Sequence, residues 1–110
     1  MKNLKKIKKV SILGKPFKIT FCKERTGALC DEDNKRRYYV GRSDTEEQRI
    51  TIAKHLALEE MFETIFHEVF HAIEYYLQYD SEEAYVQRMS VGLAAFLLDN
   101  FKVTLKQETL

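Results

Sequence analysis

The spacing of the apolar residues changes once along this 110-residue chain, and that change is the strongest constraint on its fold. In the first half, Phe17, Ile19 and Phe21 alternate with polar side chains, which is the period of a half-buried β-strand. From about Ala57 the apolar residues recur at intervals of three and four, as on one face of an α-helix. This order predicts an α+β fold in which helices cover one face of a small sheet.

The whole chain is predicted to be a single domain, mainly β-structure over 1–56, two helices over 57–100 and a tail over 101–110. The predicted strands are apolar runs next to turn residues, and they cover 10–22 (two strands joined at 14–16), 38–40, 49–53 and, in the tail, 102–105. Residues 41–47 are predicted to be a turn region. The sheet is therefore expected to be a small antiparallel or mixed one, formed by an N-terminal hairpin and a strand near 48–53.

The two helices are predicted over about 57–79 and 82–100, with Asp80-Ser81 between them as a possible cap for the second. The second helix is expected to bury a stripe that consists of Val86, Met89, Leu93, Phe96 and Leu97. The small residues from Gly92 to Ala95 would allow a neighbouring helix to approach closely.

Charge is unevenly distributed, although the formal net charge is only +1. Residues 1–55 carry 15 Lys/Arg and 7 Asp/Glu, whereas residues 56–110 carry 3 and 10. The basic half could dock an acidic partner. Its aromatic and basic residues interleave only weakly, so a solvated face is favoured over a nucleic-acid surface.

Neither a membrane span nor a signal peptide is predicted. No apolar run approaches the length of a span, and Gly14-Lys15-Pro16 interrupts the apolar stretch that follows the basic start. We therefore expect a cytoplasmic protein without a membrane partner. Cys22 and Cys30 lack C-x-x-C spacing and are expected to be thiols; a disulfide is the alternative if the protein is exported.

The segment His67-Glu68-Val69-Phe70-His71 reads H-E-x-x-H within the first predicted helix. Residues four apart lie on the same face of a helix, so His67 and His71 can bring two imidazole nitrogens to one Zn²⁺. Glu68 can then take a proton from an attacking water, as in zinc metallopeptidases. The alternative is a helix whose two imidazoles bind nothing.

A catalytic zinc usually has three protein ligands, and no His follows His71, so the third ligand is expected to be a carboxylate. Glu74 is two turns from His67 on the same helix, about 10 Å along the axis, which is too far for the three to meet. Glu82 and Glu83 open the next helix, which can fold back and present a carboxylate to His71.

Glu83 is favoured over Glu82 because it precedes Val86 at helical spacing, beside the predicted buried stripe. The alternative is a capping box, in which Glu83 only accepts a hydrogen bond from the backbone amide of Asp80. His55 is expected at the surface or outside the ligand set.

Residues 48–100 resemble small phage and prophage zinc-peptidase-like proteins. The resemblance is carried by Glu63–Glu74, by Ser81–Met89 and by the Gly92-Leu and Leu98-Asp-Asn100 segments. Such proteins resemble minimal members of the ImmA/IrrE group of gluzincin-type metallopeptidases, whose third ligand is the Glu of an E-x-x-A-N-like segment. Glu83-Ala-Tyr-Val-Gln87 occupies that position here, with Val-Gln in place of Ala-Asn.

The resemblance implies a minimal zincin-like domain with one Zn²⁺ per chain, held by His67, His71 and Glu83. It also implies Glu68 as general base, cleavage of a peptide or protein substrate, and a place in a bacterial or phage-infected cell. The strand near 48–53 is expected to be an edge strand, which could bind an extended substrate by strand addition. The alternative function is a non-catalytic zinc-binding or protein-interaction module with the same fold.

Overall fold

The computed structural model describes residues 8–23, 29 and 39–102. These residues form four strands and two helices: β1 (Lys9–Ile12), β2 (Lys15–Cys22), β3 (Gly41–Asp44), β4 (Arg49–Ala53), α1 (Leu58–Tyr76) and α2 (Glu83–Asn100). The order confirms the predicted α+β class. Cys30 lies outside the described residues, as do Tyr38 and most of the predicted tail strand.

The four strands form one mixed sheet in the order β1-β2-β4-β3. β1 and β2 are an antiparallel hairpin, and β2 pairs in parallel with β4, with Ile19 opposite Ile50. The hairpin turn is at Leu13-Gly14, one residue earlier than predicted, with φ angles of 51° and 80°. Two successive positive φ angles give the turn the twist that a two-residue hairpin requires.

The turn region predicted over 41–47 is wrong in its first half, because Gly41–Asp44 is strand β3. β3 pairs antiparallel with β4 and ends the described sheet. Its Gly-Arg-Ser-Asp sequence has no apolar alternation, so backbone pairing forms the strand without a hydrophobic pattern. β4 matches the predicted 49–53 strand, but it lies between β2 and β3, and the edge position expected of it belongs to β3.

Helix α1 packs against the sheet and ends three residues before its predicted end. Phe17, Ile50 and Ile52 from the sheet are fully buried in the same core as Met61 and other α1 residues. The helix ends because Gln78 adopts a left-handed φ of 56°. The amides of Gln78 and Tyr79 then bond back to the carbonyls of Tyr75 and Glu74, as in a Schellman motif.

The buried face of α2 differs from the predicted stripe. Val86, Ser90 and Ala94 are buried, whereas three of the predicted residues are exposed: Met89, Leu93 and Phe96. Small side chains at 90 and 94 let α2 approach α1 closely. The Ser90 hydroxyl is satisfied in this position because it donates to the Val86 carbonyl oxygen at 2.7 Å. Neither helix among the described residues has the length and apolar character that a bilayer-spanning segment requires.

Strand β3 lies close to α1 at Gly41. A Cβ atom added to Gly41 would lie 2.5 Å from Cγ2 of Thr64 and 3.2 Å from Cγ of Glu68. Only a residue without a side chain fits between the strand and the helix at this point.

Gly41→Ala is therefore expected to lower the free energy of unfolding by about 1–3 kcal/mol, the usual cost of overpacking. Urea denaturation measures the loss. Thr64→Ser, which removes the obstructing methyl group, should recover part of it in the double variant. Gly92→Ala is the matched control, because a Cβ there meets nothing within 4 Å. An equal loss in both glycine variants would contradict the steric explanation.

Candidate metal centre

Two imidazoles of α1 meet in the structure as the H-E-x-x-H spacing predicts. Nε2 of His67 lies 3.0 Å from Nε2 of His71, and the ring centroids are 4.7 Å apart. The His67 side chain is 12% exposed, and that of His71 is 33% exposed. One turn of helix therefore holds both nitrogens at the same point, partly shielded from solvent.

Glu83, in the first turn of α2, completes the cluster. One of its carboxylate oxygens contacts Nε2 of His67, and the other lies 3.0 Å from Nε2 of His71. Among the described residues, these three form the one group of possible metal ligands, with all donor atoms within 4.8 Å of one another. The structure thus brings together the three predicted ligands.

The donor set fits zinc in chemistry and in spacing. Two imidazole nitrogens and a carboxylate oxygen are a common ligand set of catalytic zinc. Zinc–ligand bonds of about 2.1 Å place neighbouring donors of a tetrahedral site about 3.4 Å apart. Two of the three separations, each 3.0 Å, are close to that value, whereas the contact between His67 and Glu83 is shorter.

The link between the helices positions Glu83 without the predicted cap. The N-cap of α2 is Glu82, which has extended backbone angles, and no side chain among the described residues caps this end of the helix. The capping box from Asp80 to Glu83 is therefore wrong. Ser81 instead donates a 2.5 Å hydrogen bond to the carboxylate of Glu74, which ties the link to the end of α1. Glu82 is exposed and does not belong to the cluster.

Glu68 lies behind the two histidines and is only 7% exposed. Burial raises the pKa of its carboxyl group above the ordinary value, and the charge of Glu83 acts in the same direction. The charges of His67 and His71 and a hydrogen bond from the Ser43 hydroxyl lower the pKa of Glu68, but burial outweighs them. Glu68 is therefore a buried carboxyl group with a raised pKa that lies against strand β3.

A cleft of about 660 Å³ lies between α1 and β3 and opens onto the cluster. His67, Glu68, His71 and Glu83 all line it. Its opposite wall is formed by Tyr39, Val40 and β3 residues. His55 is exposed and does not line the cleft, as expected.

Gly41 and Ser43 were not predicted to belong to the site. Both are on β3, which carries no apolar pattern, and neither is a metal ligand or a titratable group. The weak signal available was a glycine followed two residues later by a hydroxyl, which places both on the same face of a strand.

Comparison with protein-family models, with curated proteins and with solved structures finds no match for this chain.

Glu68→Gln is expected to raise the melting temperature at neutral pH in the presence of a chelator. The raised pKa of Glu68 means that folding favours its protonated form, so the ionised carboxylate destabilises the fold above the ordinary pKa of 4.5. The neutral amide removes that cost, and the difference between variant and wild type should shrink below pH 4.5.

Thermal unfolding followed by circular dichroism, at neutral pH and below pH 4.5, measures this effect. The exposed Glu82→Gln is the matched control and should change little at either pH. A melting temperature for Glu68→Gln that is lower by the same amount at both pH values would contradict the prediction, because it would show that the carboxyl group stabilises the fold whether or not it is ionised.

Proposed function

We propose that the protein is a zinc-dependent metallopeptidase. The observation that carries this proposal is the convergence of His67, His71 and Glu83 beside a second, buried carboxylate, that of Glu68. A set of ligands alone would suit many roles. A buried base next to them, at the bottom of an open cleft, favours hydrolysis. The proposal depends on this chemistry and not on a matching relative.

The proposed ligands are His67, His71 and Glu83, which hold one zinc per chain. When bound, zinc supplies Lewis acidity, which polarises a substrate carbonyl and makes water more acidic. Because Glu83 comes from α2 and the histidines from α1, both helices have to be in place for the ligands to meet. The side chain of Glu83 is 68% exposed, so the cluster is accessible from solvent on that side.

Glu68 is the proposed general base. It would accept a proton from the attacking water and pass it to the leaving amine as the peptide bond breaks. A general base is most effective when its pKa is near the working pH, and burial moves the pKa of Glu68 in that direction. The hydrogen bond from Ser43 favours the ionised form of the carboxylate, which lowers the pKa of Glu68 against the effect of burial.

A peptide or protein is the proposed substrate, bound in an extended form along β3. This strand ends the described sheet, and Gly41, Arg42 and Ser43 line the cleft. An extended peptide could pair with the outer edge of β3 and cross the cleft beside the cluster. β4 cannot serve in this way because β2 and β3 occupy both of its edges.

A second candidate function is a non-catalytic zinc module. It is favoured by the position of the ligands, because a metal held by α1 and α2 would cross-link the two helices. In that case zinc would stabilise the fold, and Glu68 would not be needed for function. The two candidate functions predict different results for replacement of Glu68, which would impair a peptidase but not a non-catalytic module.

Protein purified without a metal-affinity tag is expected to contain about one zinc per chain by elemental mass spectrometry. The zinc content of Glu83→Ala should be well below one per chain, because this variant keeps only two of the three ligands. The same is expected of His67→Ala. Glu82→Ala is the matched control, an adjacent exposed carboxylate outside the cluster, and should keep its zinc. Equal loss from both glutamate variants, or no zinc uptake by the wild type, would contradict the ligand assignment.

Glu68→Gln is expected to keep the zinc but to lower peptide cleavage by a factor of about 10²–10⁴, the usual contribution of a general base. Cleavage is measured by mass spectrometry on a peptide library prepared from a digested bacterial lysate. Ser43→Ala, which removes the hydrogen bond to Glu68, should lower cleavage less. Zinc that stabilises a wild type without cleavage activity would favour the non-catalytic module.

A further inference from the structure

Helix α2 presents apolar side chains to solvent on the side away from the cleft. Tyr85 and Phe96 are each more than half exposed, and Met89 is 37% exposed. Together with Gly92 they form the α2 stripe, whose members are separated by four, three and four residues. This spacing places all four on one face of the helix, as in helices that pack side by side.

Gly92 forms a gap in the middle of the α2 stripe. A Cβ atom added there would meet no atom of the described residues within 4 Å, and the φ angle of Gly92 is not positive. Glycine destabilises a helix interior relative to alanine, and no contact within the described residues requires it here. The gap therefore has the shape of a recess that an outside side chain could occupy.

Two exposed charges flank the α2 stripe on the same side. Arg88 and Asp99 have opposite signs and lie near the two ends of the stripe. Neither makes an ion pair within the part of the chain that the structure describes. An arginine at one end and an aspartate at the other are complementary to the same helix running in the opposite direction.

A single antiparallel register of two α2 helices would both fill the recess at Gly92 and pair the charges of Arg88 and Asp99. In a twofold antiparallel pair, if residue i faces residue j, then residue j faces residue i. When Phe96 faces Gly92 of the second copy, Arg88 faces residue 100, about 1.5 Å along the axis from Asp99. A long arginine side chain spans that offset. Each pair of copies would therefore form two ion pairs and fill two recesses.

We propose that the protein forms an antiparallel homodimer through the α2 stripe. The cleft stays open in this dimer, because Gln87, which lines it, is about half a turn around α2 from Tyr85. The proposal does not depend on zinc or on catalysis. One contact accounts for the exposed Phe96, for the mid-helix glycine and for the two charges that have no ion pair among the described residues.

Sedimentation velocity over a wide concentration range tests the proposal. The wild type should change from 13.0 kDa to twice that mass as its concentration rises. Arg88→Asp and Asp99→Arg should each weaken dimerisation at least about tenfold, because each places like charges opposite one another twice. The double variant should restore the dimer to within about threefold of the wild type. Lys54→Asp, which changes the net charge by the same amount as Arg88→Asp at an exposed site outside α2, should have no effect.

Gly92→Leu is a second test, because its side chain would fill the recess needed by Phe96 of the second copy. It should abolish the dimer while circular dichroism shows an unchanged monomer fold, since the space around Gly92 is open. A wild type that is monomeric at all concentrations would overturn the proposal. So would a dimer that tolerates Gly92→Leu or the single charge reversals, or a double reversal that fails to restore it.

Discussion

The close approach of β3 to α1 at Gly41 is the contact on which the rest of the site depends. It requires the absence of a side chain, since a Cβ would lie 2.5 Å from the Thr64 methyl group. Once the strand is in place, Ser43 reaches Glu68, and the carboxylate is buried between strand and helix. The burial that raises the pKa of Glu68 is thus a consequence of the close packing of the β3 backbone at Gly41.

The two helices meet the competing demands of core and site by different means. α1 combines them through its periodicity, with Met61 and Ala72 buried in the core while His67 and His71 lie partly exposed in the cleft. α2 serves both the core and the site because it has small side chains, Ser90 and Ala94, which allow its backbone to approach α1. That approach places the first residue of α2, Glu83, next to both imidazoles.

The parts of the structure that could be predicted from the sequence are those where spacing alone determines geometry. His67 and His71 meet because four residues make about one helical turn, and β2 and β4 follow from alternating apolar residues. Two further features of the fold have no such signal in the sequence. β3 has no apolar pattern, and its position depends on pairing with β4. The buried face of α2 is set by small residues, whereas a hydrophobic pattern gives most weight to large ones such as Phe96.

The location of the site residues along the chain has a consequence for the order of folding. His67, His71 and Glu83 lie within one helical hairpin, so their meeting requires only short loop closure. Glu68 is buried only after Gly41 and Ser43 arrive from a distant part of the chain, and the parallel pairing of β2 with β4 is likewise non-local. During synthesis, however, β3 and β4 leave the ribosome before α1 does. The sheet is therefore available as a template when the hairpin emerges, and the proposed ligands and the proposed base can be assembled in one docking step.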